Sequence, residues 1–210
     1  MDTVVKFSDN RNNKINQEIE VFARAMSKKK QSAEYYVENR NASLNNVGRN
    51  IALGKKGEYF AFKFLVRKYG YPVIPMDTEI REGSNKGWRV DLNFKDFNSS
   101  LPNIHVKTCD KFTVSYSNDF SWLLQWSNAR GKGGKDKIFF DKCKDDIIMF
   151  VYTDHYRSDT GIIKHAIPVR SLDRYLKEPK KKDFQGRKKG VYYKDLVSRG
   201  LEDIGVILQK

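Results

Sequence analysis

Cysteine is scarce in this 210-residue chain: only Cys109 and Cys143 occur. Two thiols furnish neither a disulfide scaffold nor a four-cysteine zinc site, and no Cys/His set has zinc-finger spacing. Long apolar runs are missing as well, none approaching the roughly 18–20 residues that a membrane helix needs. The opening Met1-Asp2-Thr3-Val4-Val5 has neither the basic start nor the long apolar stretch of a secretory signal. These absences lead us to expect a protein of the reducing cytoplasm with no membrane partner. Acidic residues are outnumbered, 26 Asp+Glu against 40 Lys+Arg, for a formal net charge of +14. Such a field favours polyanionic partners, nucleic acid above all. Hydrophobic residues at 39% and aromatics at 13% suffice for a core, which excludes disorder as the default state.

Residues 3–7 read as a short strand. From Lys14 to Val37, Ile15, Ile19, Phe22, Ala23 and Met26 recur at helical spacings. Asn39–Gly48 is Asn/Ser-rich and reads as a loop. A second helix is expected from near Gly54 or Gly57 to Tyr69, stopped by Gly70 and Pro72. Extended segments follow at 73–74 and 78–81, then a Gly83–Gly87 turn and two alternating strands, 89–94 and 104–108. The pattern next suggests a helix over Phe120–Ala129, capped by Asn118 or Asp119. Ile147–Tyr152 is a continuous apolar run of the kind a central strand shows. Ile162–Val169 reads as another strand, and Ser171 as the cap of a short helix over 172–176. Lys177–Gly190 reads as a charged loop. No internal repeat or linker divides the chain, and residues 1–50 are expected to form a helical arm beside a domain over 51–210.

The two alternating strands carry the most chemistry. Val90, Leu92 and Phe94 alternate with Arg89, Asp91 and Asn93, while Ile104 and Val106 alternate with His105 and Lys107. Successive strand side chains point to opposite faces. Apolar faces buried on one side would therefore bring Asp91, His105 and Lys107 out together on the other. Aspartate is disfavoured inside strands, so Asp91 asks for a reason. On the preceding helix, Glu58 shares a broad face with Ala61, Phe62, Leu65, Val66 and Tyr69, with Phe60 and Phe64 marking a second apolar face. A carboxylate on an apolar stripe needs a partner or a metal, unless it simply occupies the exposed first turn. Gly54-Lys55-Lys56-Gly57 is not a phosphate-binding loop, because GxxxxGK[ST] is missing.

A helix with Gly57-Glu58, a strand with Val90-Asp91 and a strand with His105-Val106-Lys107 resembles the PD-(D/E)XK nuclease superfamily. The resemblance covers roughly residues 54–152. It implies an α/β fold, a restriction-endonuclease-like mixed β-sheet flanked by helices, here with an N-terminal helical extension. It further implies a divalent-metal-dependent endonuclease that hydrolyses DNA phosphodiester bonds to 5′-phosphate and 3′-hydroxyl ends. Asp91, His105, the Val106 carbonyl and Glu58 would hold Mg²⁺ or Mn²⁺, and Lys107 would orient the attacking water. Two positions depart from the pattern: Val90 stands where a proline is usual, and His105 where Glu or Asp is usual. An imidazole there would favour Mn²⁺ over Mg²⁺.

Phosphate contacts are expected from Arg24, Lys28, Lys29, Lys30, Arg40, Lys55, Lys56, Lys132, Lys135, Lys181, Lys182, Arg187, Lys188 and Lys189. Tyr35, Tyr36, Trp122 and Trp126 are candidates for base stacking, with the Trp pair more suited to the core. DNA is the expected partner ahead of RNA; a homodimer would suit double-strand cleavage and a monomer nicking. Two other readings fit the same residues: a degenerate DNA- or RNA-binding protein on this fold, and a basic subunit of a nucleoprotein assembly.

Overall fold

Ile147–Thr153, almost wholly buried, forms a central strand of the main sheet. The computed structural model describes residues 3–6, 13–17, 20, 46–69, 73–75, 79–80, 88–89, 92–94, 102–125, 137, 140–141, 143–176, 183–184 and 188–201. In chain order the elements are β1 (Thr3–Lys6), α1 (Asn46–Tyr69), β2 (Val73–Pro75), β3 (Glu79–Ile80), β4 (Trp88–Arg89), β5 (Leu92–Phe94), β6 (Ile104–Asp110), α2 (Lys111–Ser117) and β7 (Ser121–Gln125). They continue with β8 (Ile147–Thr153), β9 (Thr160–Pro168), α3 (Val169–Leu176), β10 (Asp183–Phe184), β11 (Lys188–Tyr192) and α4 (Tyr193–Ser198). The architecture is mixed α/β.

The main sheet has the order β1-β9-β8-β6-β5-β2. Strands β6 and β8 are parallel, and the other pairs are antiparallel. A parallel pair needs a crossover, and α2 and β7 lie in this one. Alternation sends Ile104 and Val106 of β6, with Ile147, Met149 and Val151 of β8, to one face. There Phe60, Ala61, Phe64 and Leu65 of α1 cover them. On β9 the bulge beside Phe150/Val151 lets Ile163 and Ala166, three residues apart, join that same face. The opposite face carries Cys109, Ile148, Phe150 and Ile167. It is covered by α3, α4 and the small sheet β10-β11-β7, through Leu172, Tyr175, Leu176, Leu196, Trp122, Leu124 and Val191.

Helix α1 lies very close to the sheet. A Cβ on Gly57 would stand 1.7 Å from Thr108 Oγ1, so only glycine permits this approach. At the other contact, a Cβ on Gly161 would meet the Phe60 ring at 2.4 Å. The buried stripe of α1 runs through Ala52, Leu53, Lys56, Phe60, Ala61, Phe64 and Leu65. Of the face read around Glu58, Ala61 and Leu65 are buried in the interface together with Phe60 and Phe64, while Glu58 and Phe62 are half-buried.

Several expectations change. The helix begins at Asn46, inside the segment read as a loop. Phe120–Ala129 is not helical over its described part: Ser121–Gln125 is strand β7, and Asn118 is the left-handed C-cap of α2 with φ 54. Trp122 and Leu124 are buried while Leu123 is 45% exposed, which is a period of two. Trp122 is a core residue, its indole Nε1 donating to the Val151 carbonyl at 3.1 Å. The charged stretch 177–190 contains β10 and the start of β11. Residues 3–6, assigned to the N-terminal arm, pair with β9 as the edge of the main sheet. Of the arm's long helix, residues 13–17 are helical and the remainder lies largely outside the described residues. Among the described residues no helix is long and apolar enough to cross a membrane.

Candidate functional site

Strand β6 carries two of the expected site residues, His105 and Lys107. Its alternation turns Ile104 and Val106 towards α1, so His105 and Lys107 belong to the other face. That face is not open at His105, which is only 5% exposed. His105 Nε2 lies 2.9 Å from Asp146 Oδ2. A carboxylate only accepts, so Nε2 carries the proton of this bond. Asp146 is fixed in turn: its Oδ1 accepts from the Asn103 backbone N–H and from Asn103 Nδ2, both at 3.3 Å.

The backbone explains why these groups meet. The Ile147 N–H donates to the Asn103 carbonyl at 2.9 Å, joining the starts of the parallel strands β6 and β8. Immediately before β8, the Asp146 N–H donates to the Cys143 carbonyl at 3.2 Å, closing a tight turn over Cys143–Asp146. Val169 and Arg170 at the start of α3 donate to the carbonyls of Asp146 and Lys144, which hold the turn from outside. As a result one donor atom each from His105, Cys143 and Asp146 lies within 4.8 Å of the others. Among the described residues this set could hold a metal ion. Sequence reasoning reached His105 but not its partners. Cys143 and Asp146 are 38 and 41 residues further along, and only the parallel pairing brings them back; the one local signal was the C-x-x-D spacing before an apolar strand.

Lys107 is half-buried one residue from Thr108, where α1 makes its closest approach. Glu58 sits on α1 beside that contact, and its Oε2 accepts from Lys55 Nζ at 2.7 Å. Asp91, the expected partner of both, lies outside the described residues, while β5 begins with the next residue and pairs Leu92 with Ile104.

At the far end of β6, Asp110 is buried and bound by the Arg49 guanidinium of α1. Burial alone would raise its pKa, but hydrogen bonds from Arg49 and from the Thr113 N–H and hydroxyl outweigh it and hold the carboxyl below its ordinary range. The Arg49 guanidinium also lies 5.4 Å from the centre of the Phe112 ring, which is 67% exposed.

The expected phosphate contacts divide. Lys56 is fully buried, with Nζ donating to Asn16 Oδ1 at 2.7 Å and standing 5.2 Å from the Phe60 ring centre. Burial lowers its pKa to about 8 against the opposing charge of Asp159. So enclosed an amine offers no charge to a polyanion in solvent, and Lys56 leaves the list. Lys55 is engaged with Glu58, and Lys189 Nζ donates to the Leu176 carbonyl at the end of α3 at 2.7 Å. Arg24, Lys28, Lys29, Lys30, Arg40, Lys132, Lys135, Lys181, Lys182 and Arg187 lie outside the described residues, as do Tyr35, Tyr36, Trp126 and the side chain of Lys188. Compared with known proteins, the chain matches no family model, no curated protein and no solved structure.

Proposed function

We propose that this chain is a divalent-metal-dependent endodeoxyribonuclease on a restriction-endonuclease-like fold. The observation that supports the reading is the company β6 keeps. Helix α1, with Gly57-Glu58, touches β6 at Thr108, next in the chain to Lys107 but on the opposite face of the sheet. Strand β5, starting one residue after Asp91, is the antiparallel neighbour of β6. The reading requires the register of Leu92 with Ile104 to carry one residue further, which sets position 91 opposite His105.

In this reading Asp91 and the carbonyl of Val106 are the ligands, and Glu58, which α1 carries on the other face of the sheet from Lys107, contributes directly or through water. These hard oxygen donors fit Mg²⁺ or Mn²⁺. Glu58 already keeps a cation at its carboxylate, the Lys55 ammonium. His105, expected among these ligands, lies instead in a cluster with Cys143 and Asp146, its Nε2 2.9 Å from Asp146 Oδ2. When bound, the ion supplies polarisation of the scissile phosphate and a lowered pKa for a bound water. Lys107 directs its ammonium at the developing charge on the phosphate oxygens and orients the water by hydrogen bonding. The positive field of the chain gathers DNA without regard to sequence.

The test is incubation of supercoiled plasmid with the chain in Mg²⁺ or Mn²⁺. Nicked or linear product is expected, absent in EDTA and in Asp91→Ala and Lys107→Ala variants that retain the wild-type circular dichroism. Full cleavage by either variant rejects the assignment. A gel shift without cleavage under every metal condition instead identifies a binding protein.

A further inference from the structure

We infer that His105 Nε2, Cys143 Sγ and Asp146 Oδ2 form a binding site for a thiophilic divalent cation, Zn²⁺ by its chemistry, independent of any ion held by Asp91 and Glu58. The donor set is one imidazole, one thiol and one carboxylate, with its atoms within 4.8 Å of one another. Zn²⁺ bonds of about 2.0–2.3 Å place tetrahedral ligand atoms roughly 3.3–3.8 Å apart. The separations, all within 4.8 Å, thus exceed those of a filled site by at most about one ångström. Cys143, half-buried in a turn, is the donor whose side chain would turn inward to close any such gap.

The surroundings are arranged as a metal site requires. Asn103 occupies Oδ1 of Asp146 through two donors, which leaves Oδ2 aimed at His105. Outer hydrogen bonds of this kind fix the orientation of a liganding carboxylate. His105 and Asp146 are 5% and 9% exposed, so an ion between them is shielded, and the half-buried Cys143 side leaves the fourth position for a water. Mg²⁺ is a poor match because a thiolate and an imidazole take two of the three places. The chain's other thiol, Cys109, is a buried packing residue whose pKa burial pushes up to about 12, so it stays protonated and does not compete. Binding releases the thiol proton of Cys143 to solvent and requires the proton shared by Nε2 and Asp146 to leave that nitrogen, for Nδ1 or for solvent. Affinity therefore falls as pH is lowered. The ion's effect is mechanical: it clamps the start of β6 to the turn that leads into β8.

Cobalt(II) titration of the metal-free full-length chain tests the site. One equivalent should bind with visible tetrahedral bands and a near-ultraviolet thiolate-to-cobalt band, both lost on adding Zn²⁺, whatever further cobalt the oxygen donors take up. Cys143→Ser should lose the near-ultraviolet band, whereas Cys109→Ala should keep it. Asn103→Ala should bind roughly ten- to a hundredfold more weakly. Should Cys143→Ser not fold, alkylation of the wild-type chain supplies the readout, since bound Zn²⁺ should abolish the reaction at Cys143. Sub-stoichiometric uptake, a thiolate band that survives Cys143→Ser, or alkylation of Cys143 at an unchanged rate each overturns the proposal. No nucleic acid enters these assays, so the outcome is separate from that of the cleavage test.

Discussion

Gly57 and Thr108 show how much one hydrogen atom decides. An alanine at position 57 gains about 1 kcal/mol of helix propensity over glycine. Against this, its Cβ would fall 1.7 Å from Thr108 Oγ1, 2.8 Å from Cβ and 2.9 Å from Cγ2. No rotamer of Thr108 removes the Cβ contact, so α1 must lift from the sheet. We expect Gly57→Ala to lower stability by about 1–3 kcal/mol, the usual range for overpacking, measured by urea denaturation. Thr108→Ala in the same chain should recover part of the loss only, because its Cβ remains. Full recovery would place the strain elsewhere. Lys56 offers a second residue-scale test. Burial lowers its pKa to about 8 from 10.5, so between those values the unfolded chain holds a proton that the folded chain has released. Stability from this group therefore rises with pH across that window. The stability of wild type relative to Lys56→Met should increase from pH 8 to 10.5, and a pH-independent difference contradicts a perturbed buried amine. Nothing in the helical periodicity around Gly57 announced either feature, because both depend on the strand lying beneath the helix.

Elements here are joined by their ends. Asp110 closes β6, caps α2 through the Thr113 N–H at 3.0 Å and pairs with Arg49 in the first turn of α1. One carboxylate thus ties three elements together. Loss of an N-cap costs about 1 kcal/mol, and removing one partner of a buried pair adds to it. Asp110→Ala should accordingly be destabilised by roughly 2–4 kcal/mol. Asp110→Asn, which retains a capping oxygen, should lose clearly less; equal losses in denaturation midpoint would deny the cap any part. The next element, β7, shows a limit of pattern reading. Ser121-Trp122-Leu123-Leu124 offers apolar residues in succession, and its period became visible only where burial separates Trp122 and Leu124 from the exposed Leu123. Antiparallel pairing with β11, more than sixty residues away, supplies the hydrogen bonds that a helix would otherwise have made internally.

For the molecule as a whole, charge and buried acids set the response to solution conditions. With a net charge of +14, any DNA complex should weaken steeply with salt. Each phosphate contact contributes about 0.9 to the slope of log affinity against log salt. Fluorescence anisotropy with a duplex should return a slope of several units; a slope near zero would sink the nucleic-acid reading. At high pH, Cys109, Tyr152, Tyr175 and Tyr192 all have raised pKa values, burial being the leading cause in each. Asp154 and Asp195 add to it for Tyr152 and Tyr175, through hydrogen bonds from the phenols at 2.5 and 2.9 Å. The folded chain keeps these protons while the unfolded chain loses them above 9.0 for the thiol and 10.0 for the phenols. Stability should therefore fall as pH climbs through about 10, overtaking the opposite contribution of Lys56. At the acid end the sign reverses for Asp110, whose lowered pKa gives stability that is lost as pH drops below 3.8.

What the amino-acid order determined by itself is what depends on near neighbours. The apolar run at 147–152, the alternating strand at 104–108 and the helix through Phe60 and Leu65 follow from patterns that extend over a few residues. The tertiary structure alone decided which polar groups meet. It set His105 against Asp146 and Cys143 instead of leaving it on an open face, and it buried Lys56. Those outcomes rest on the parallel pairing of β6 with β8 and on the packing of α1. Such pairings join segments tens of residues apart, and a local sequence pattern carries no record of which distant partner will cover it.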